Sequence, residues 1–225
     1  MATHLLTGAG SGIGAALADS LHGRGDSLVL LARTSERADE LASRWEGARR
    51  LVADLADAGS LDDLEPPEQL DSVVHAAGVV DLGPVAEFTT EQWREHLDVN
   101  LLAPAALTRL VLPALRAARG TVVFVNSGAG LRANPQWAAY AASKHGLRAL
   151  ADSLRAEEQE NGVRVTSVYP GRTATPMQAR VHDQEGKEYD ADEWIRPETV
   201  ADTILRVLDL PRDATIPDVT VSPTP

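Results

Sequence analysis

Short apolar runs alternate with helix-period segments along the whole chain, and that alternation constrains its fold more than any other feature. Seven runs read as strands: His4–Thr7, Ser27–Ala32, Arg49–Ala53, Ser72–Ala76, Thr121–Asn126, Val163–Tyr169 and Ile216–Val221. They are brief, β-branched or leucine-rich, and bounded by Gly, Pro or Asp. Leu28-Val29-Leu30-Leu31 is apolar without alternation, as expected of a parallel strand buried on both faces. Between the runs, apolar residues recur at helical spacing: Ile13, Leu17 and Leu21; Ala38, Leu41 and Trp45; Leu147, Leu150 and Leu154; Val200, Ile204 and Val207 after Pro197. This rhythm predicts an α/β fold, a doubly wound parallel sheet in three α/β/α layers with right-handed crossovers. No repeat or Gly/Ser/Pro-rich linker divides the 225 residues, so 1–225 is expected to form a single domain.

Composition removes several function classes. With 21 Lys+Arg against 33 Asp+Glu the net charge is −12, so nucleic acid and anionic membranes are not expected partners. No cysteine is present, which excludes disulfides, zinc–thiolate sites, iron–sulfur clusters and thiol nucleophiles. No metal site is expected. The apolar stretch Val99–Ala118 is interrupted by Asn100, Thr108, Arg109 and Arg116, which argues against a bilayer span. With no targeting segment visible, the default expectation is a cytoplasmic protein.

Three motifs carry chemistry. Between the first strand and first helix lies Thr7-Gly8-Ala9-Gly10-Ser11-Gly12-Ile13-Gly14, a loop that lets backbone approach a pyrophosphate at a helix N-terminus. The second strand ends Ala32-Arg33-Thr34, with no acid to take a ribose 2′-hydroxyl. An arginine there matches a 2′-phosphate, so NADP(H) is expected over NAD(H). Tyr140-Ala141-Ala142-Ser143-Lys144 is a Tyr-x-x-x-Lys pair, of which chance supplies roughly 0.03 from three tyrosines and two lysines. The spacing puts both side chains on one helical face. An ammonium about 4 Å from the phenol favours the phenolate by roughly 4 kcal/mol, which would bring Tyr140 from about 10 to near 7.

Together these motifs resemble the short-chain dehydrogenase/reductase family. Further matches follow in order: Asp54-Leu55 after the third strand, Ala77-Gly78 after the fourth, Asn100 in a long helix, Ser127 after the fifth, and Pro170-Gly171 with Thr173 after the sixth. The resemblance covers about Thr3 to Val221. It implies a Rossmann-like seven-stranded sheet ordered 3-2-1-4-5-6-7. It also implies a catalytic tetrad of Asn100, Ser127, Tyr140 and Lys144. Tyr140 would protonate a carbonyl oxygen as hydride arrives, and Ser127 would hold that oxygen. Lys144 would tune Tyr140 and bind ribose, and Asn100 would hold a relay water. Gly8, Ser11, Gly12, Ile13, Gly14, Arg33, Asp54, Leu55, Ala77, Gly78, Pro170, Gly171 and Thr173 would contact the cofactor.

One departure stands out: His75-Ala76-Ala77-Gly78 replaces the family's Asn-Asn-Ala-Gly, and His75 reads as a packed strand residue. The polar stretch Thr173–Arg196 reads either as a solvated insertion or as a mobile lid. The pocket wall is expected to use Gly128, Leu131, Trp137 and Met177, with Trp194 as a further candidate. The substrate is expected to be a small carbonyl or alcohol, uncharged and partly apolar. The resemblance also implies a homodimer or homotetramer, formed through helices near Thr90–Ala118 and Ala138–Asn161. An NAD-dependent alcohol dehydrogenase and a non-catalytic NADP-binding regulator remain alternatives.

Overall fold

Neighbouring residues on a strand point to opposite faces of the sheet, and here both faces are covered. A computed structural model describes residues 1–224. Its strands are β1 (Thr3–Thr7), β2 (Ser27–Ala32), β3 (Arg49–Val52), β4 (Ser72–His75), β5 (Thr121–Val125), β6 (Arg164–Pro170) and β7 (Asp218–Val221). Its α-helices are α1 (Gly12–Gly23), α2 (Ser35–Arg44), α3 (Thr90–Leu97), α4 (Ala103–Ala118), α5 (Ala138–Glu157), α6 (Pro176–Gln184) and α7 (Pro197–Leu208). The strands form one all-parallel sheet in the order β3-β2-β1-β4-β5-β6-β7. That is the expected order, and each strand lies within about two residues of its predicted span.

The pleat divides the core in two. Leu6, Leu30, Val74 and Val123 join Leu17, Leu21, Trp45 and Ile204 on the face covered by α1, α2 and α7. Their neighbours Leu5, Val29, Val73 and Val122 join Leu107, Val111, Leu115 and Leu147 on the face covered by α4 and α5. Continuous apolar runs are therefore required, because no position on a central strand faces water. Burying one such leucine contributes about 2 kcal/mol.

The chain from Thr90 to Ala118 runs as α3, a π-turn over Asp98–Leu102, and α4. It is long and apolar enough to cross a membrane by composition. Here Leu107, Val111 and Leu115 are buried against the sheet instead. The π-turn places the Ala103 N–H on the Asp98 carbonyl, and the widened turn carries Asn100. Such turns recur at functional sites.

Residues 173–196 are not a featureless solvated insertion. They form α6 and a short 3₁₀ turn, Ala191–Glu193, and the two ends of the segment are tied to each other by a parallel bridge between Thr173 and Ile195. Inside this segment the buried His182 packs on the rings of Tyr189 and Trp194, 5.3 and 5.1 Å away.

Candidate active site

The carboxyl ends of β1, β4, β5 and β6 open into a cavity of about 700 Å³. In a doubly wound sheet this is the edge where ligands bind. The loop between β1 and α1 forms one wall. Gly8 is left-handed, with φ 71°, and a side chain there would meet the Ala77 backbone nitrogen at 2.6 Å. A Cβ at Gly14 would run into the Gly8 carbonyl oxygen, so α1 begins directly against the loop. Ser11 occupies the N-cap of α1 without using its side chain to cap. Ser11, Gly12 and Ile13 line the cavity, with the open first turn of α1 presented to it. On the far side of the loop a smaller hollow is lined by Arg33, Arg37, Asp54, Leu55, Ala77 and Gly78.

These features fit a dinucleotide: a glycine cradle for the pyrophosphate and, beyond it, a hollow lined by two arginines. Arg37 is absent from the residues expected on sequence grounds. Its guanidinium donates to the Gly10 carbonyl at 3.0 Å, and the residue is held on the first turn of α2, whose N-cap Thr34 accepts the Arg37 N–H. Arg33 lies 3.5 Å from the Asp54 carboxylate, and both are exposed.

Ser127, Tyr140 and Lys144 converge on the larger cavity, as do Gly8, Ser11, Gly12, Ile13, Ala77, Gly78, Pro170, Gly171 and Thr173. Tyr140 sits in a small apolar cluster with Val80, Ala129, Ala141 and Val181, flanked by Leu82 and Trp137. The Trp137 ring stands edge-on to it at 5.8 Å. Lys144, one turn later, is buried and donates to the Val125 carbonyl at 3.0 Å. Asn126, also unanticipated, ties the Lys144 carbonyl to the end of β5 through a 3.1 Å bond and accepts the Ser127 N–H at 2.8 Å. A polar residue closing an apolar strand is its only sequence signal.

Electrostatics at the pair differ from expectation. Burial raises the Tyr140 pKa above its ordinary 10, with only the Ser127 hydroxyl pulling it down. Burial lowers Lys144 from 10.5 to about 8. The expected fall of Tyr140 toward 7 is thus corrected. The Lys144 ammonium lies 5.7 Å from the ring centroid and is turned to the Val125 carbonyl, so desolvation dominates the phenol.

Asn100 is buried outside the cavity lining and braces the loop after β4. Its oxygen accepts the Val79 N–H at 2.9 Å, and its amide donates to the Val79 carbonyl and Ser143 hydroxyl at 2.9 and 3.0 Å. One oxygen lone pair remains for a water. His75 is a packed strand residue, stacked on Phe124 at 5.0 Å and bonded to Thr108 at 2.9 Å; burial pushes its pKa down to about 3. Ala76 and Ala77 both donate backbone N–H groups to the Thr7 hydroxyl, each at 3.1 Å.

Of the expected pocket wall, Gly128, Trp137 and Met177 line the cavity. Leu131 does not: it follows the 3₁₀ turn Gly128–Gly130, and its side chain points to solvent. Trp194 is also outside, packed between His182 and the Arg172 guanidinium. In their place the cavity takes Val80, Asn134, Arg172, Gln178, Val181 and Glu185.

Comparison with known proteins agrees with this geometry. The short chain dehydrogenase family model matches residues 2–186. An uncharacterized oxidoreductase of Staphylococcus epidermidis is 30% identical over 97% of this chain and 96% of its own. The alcohol dehydrogenase of the archaeon Thermococcus sibiricus, solved with 5-hydroxy-NADP, superposes with a TM-score of 0.84. It is 26% identical over 98% of this chain and 96% of its own. An actinorhodin polyketide ketoreductase variant, solved with NADPH, gives 0.88 at 25% identity over 99% of this chain and 96% of its own. With its sheet order, glycine loop and Tyr140/Lys144 pair all in one place, the chain belongs to the short-chain dehydrogenase family and is an oxidoreductase.

Proposed function

We propose that this oxidoreductase uses NADPH to reduce a small ketone or aldehyde to an alcohol. The observation that carries the reading is the convergence of Ser127, Tyr140 and Lys144 with the glycine loop on one cavity. When bound, NADPH supplies the hydride. Because burial holds Tyr140 protonated, its phenol donates the proton to the carbonyl oxygen as charge develops there. The Ser127 hydroxyl gives that oxygen a second hydrogen bond. Lys144, fixed at one hydrogen by Val125, keeps its others for ribose hydroxyls. Asn100 holds Val79 and, by family resemblance, takes the relay water on its remaining lone pair. Arg33 and Arg37, which line the smaller hollow with Asp54 and Leu55, would hold a 2′-phosphate there, and Asp54 and Leu55 would border the adenine.

The test is a parallel fluorescence titration with NADPH and NADH, followed by turnover on a carbonyl panel with Tyr140→Phe as control. We expect NADPH to bind at least about tenfold more tightly, and Tyr140→Phe to lose about 100-fold or more of the activity. Equal NADH affinity would withdraw the phosphate assignment and favour an NAD-dependent alcohol dehydrogenase. An active Tyr140→Phe would withdraw the acid, and binding without turnover would favour a regulator. We also propose a homodimer or homotetramer, formed through the α3–α4 and α5 faces where Leu102 is exposed; light scattering reads the mass.

A further inference from the structure

Helix α6 crosses the mouth of the cavity and offers it Met177, Gln178 and Val181. Its other residues of interest, Arg180 and Gln184, are one turn apart and meet the loop after β4. The Gln184 side-chain oxygen accepts the Leu82 N–H at 3.0 Å, and its amide nitrogen donates to the Asp81 carboxylate at 2.8 Å. Arg180 pairs with the same carboxylate. Asp81 is anchored in turn: its own N–H donates to His96 Nε2 at 2.9 Å. His96 is fully buried, and its Nδ1 faces the Gln92 carbonyl at 2.7 Å, which fixes the proton on Nδ1 and leaves Nε2 as acceptor.

One planar amide therefore reads an N–H and a carboxylate on consecutive residues of a chain segment about a hundred residues away. Because both ends of the amide are engaged, its orientation is fixed and so is the register of α6 on the loop. The residue before Asp81 is Val80, which packs with Val181 in the cluster around Tyr140. We infer that Gln184 and Asp81 are positioning residues: they clamp α6 over the cavity, so that Val181 and Met177 form the wall against which substrate meets Tyr140. The role toward substrate rests on the reductase reading; the clamp rests on geometry alone.

The test uses the donor–acceptor pattern. Gln184→Glu sets a carboxylate against Asp81, whereas Asp81→Asn in that background removes the like-charge contact, its amide donating to the carboxylate at position 184 while its oxygen turns to accept from Arg180. Hydrogen exchange of the α6 amides is followed with ethyl pyruvate kinetics and NADPH titration. Gln184→Glu is expected to speed α6 exchange about tenfold and raise the ethyl pyruvate KM about fivefold, with kcat and NADPH affinity within about twofold. Adding Asp81→Asn is expected to return both readouts to near wild type, while Asp81→Asn alone changes them little. Unchanged α6 exchange, or no rescue by the second substitution, overturns the clamp. Rescue of exchange with KM never altered reduces it to a structural tie and overturns the positioning role. If ethyl pyruvate is not turned over, KM is read on whichever carbonyl of the panel is; if the wild type turns over none of them with NADPH, the positioning role falls with the reductase reading, and exchange alone decides the clamp.

Discussion

Replacing Lys144 by Met should remove catalysis and yet strengthen the fold at neutral pH. Lys144 is nearly fully buried, and burial depresses its pKa from 10.5 to about 8. At about 1.36 kcal/mol per pH unit, keeping it charged in the folded state costs about 3 kcal/mol below pH 8. Against this, the ammonium satisfies the Val125 carbonyl, and leaving that acceptor bare costs about 1–2 kcal/mol. Met has similar length and no charge, so the difference at pH 7 is a net gain of about 1–2 kcal/mol, or about 2–8 °C in Tm. The sign then follows from linkage. Between pH 8 and 10.5 the unfolded wild type binds more protons than the folded, so wild-type stability rises with pH. The advantage of Lys144→Met should shrink over that window and reverse near pH 10.5, where only the bare carbonyl counts. Urea unfolding of both proteins at pH 7, 8, 9 and about 10 reads this directly. A variant that is less stable at pH 7, or a stability difference flat across the series, would refute the argument that desolvation governs this lysine.

Three other outcomes follow from the same structure. His75, whose pKa is pushed from 6.5 to about 3, draws stability away as pH falls through that interval; His75→Leu should flatten the acid limb of a urea-midpoint profile between pH 6.5 and about 4. A steep acid limb retained by His75→Leu would place the proton uptake elsewhere. Gly14→Ala drives a methyl into the Gly8 carbonyl and should weaken NADPH binding more than about tenfold in fluorescence titration, because the loop must move to admit it. Arg37→Ala should weaken NADPH but leave NADH unaffected within about twofold. Equal losses for both would assign Arg37 to holding the loop through Gly10 rather than to the phosphate.

The sheet is readable in the chain because burial on both faces leaves an unambiguous mark. Leu28–Leu31 and Val122–Val125 have no polar position, and only a central parallel strand tolerates that. The Tyr140/Lys144 spacing likewise locates a site. What the spacing does not supply is depth. It sets both side chains on one face of α5 without showing that the Val125 carbonyl claims the ammonium, and so it points to the wrong sign for the Tyr140 shift. Leu131 is close to Ser127 in the chain, which suggests a place in the pocket, but the 3₁₀ turn between them rotates it outward. Residues 173–196 read equally as a solvated insertion or a mobile lid because their partners are distant in the chain. Gln184 meets Asp81 across about a hundred residues, and no local pattern records such a contact.

The cluster that cradles Tyr140 belongs to neither of the two cores. Val80, Ala129, Tyr140, Ala141 and Val181 come from two connecting segments and two helices and form a small apolar cluster of their own, joined to the sheet core only through α5, whose Leu147, Ala151 and Leu154 lie in it. Such a region opens at a lower free energy than the whole. Warming should therefore silence the protein while its secondary structure remains, with inactivation preceding the calorimetric transition. The same separation leaves room for change. Substitutions in the segments around Tyr140 can reshape what the cavity accepts without weakening the sheet, so this architecture can acquire new substrates while its framework stays as it is.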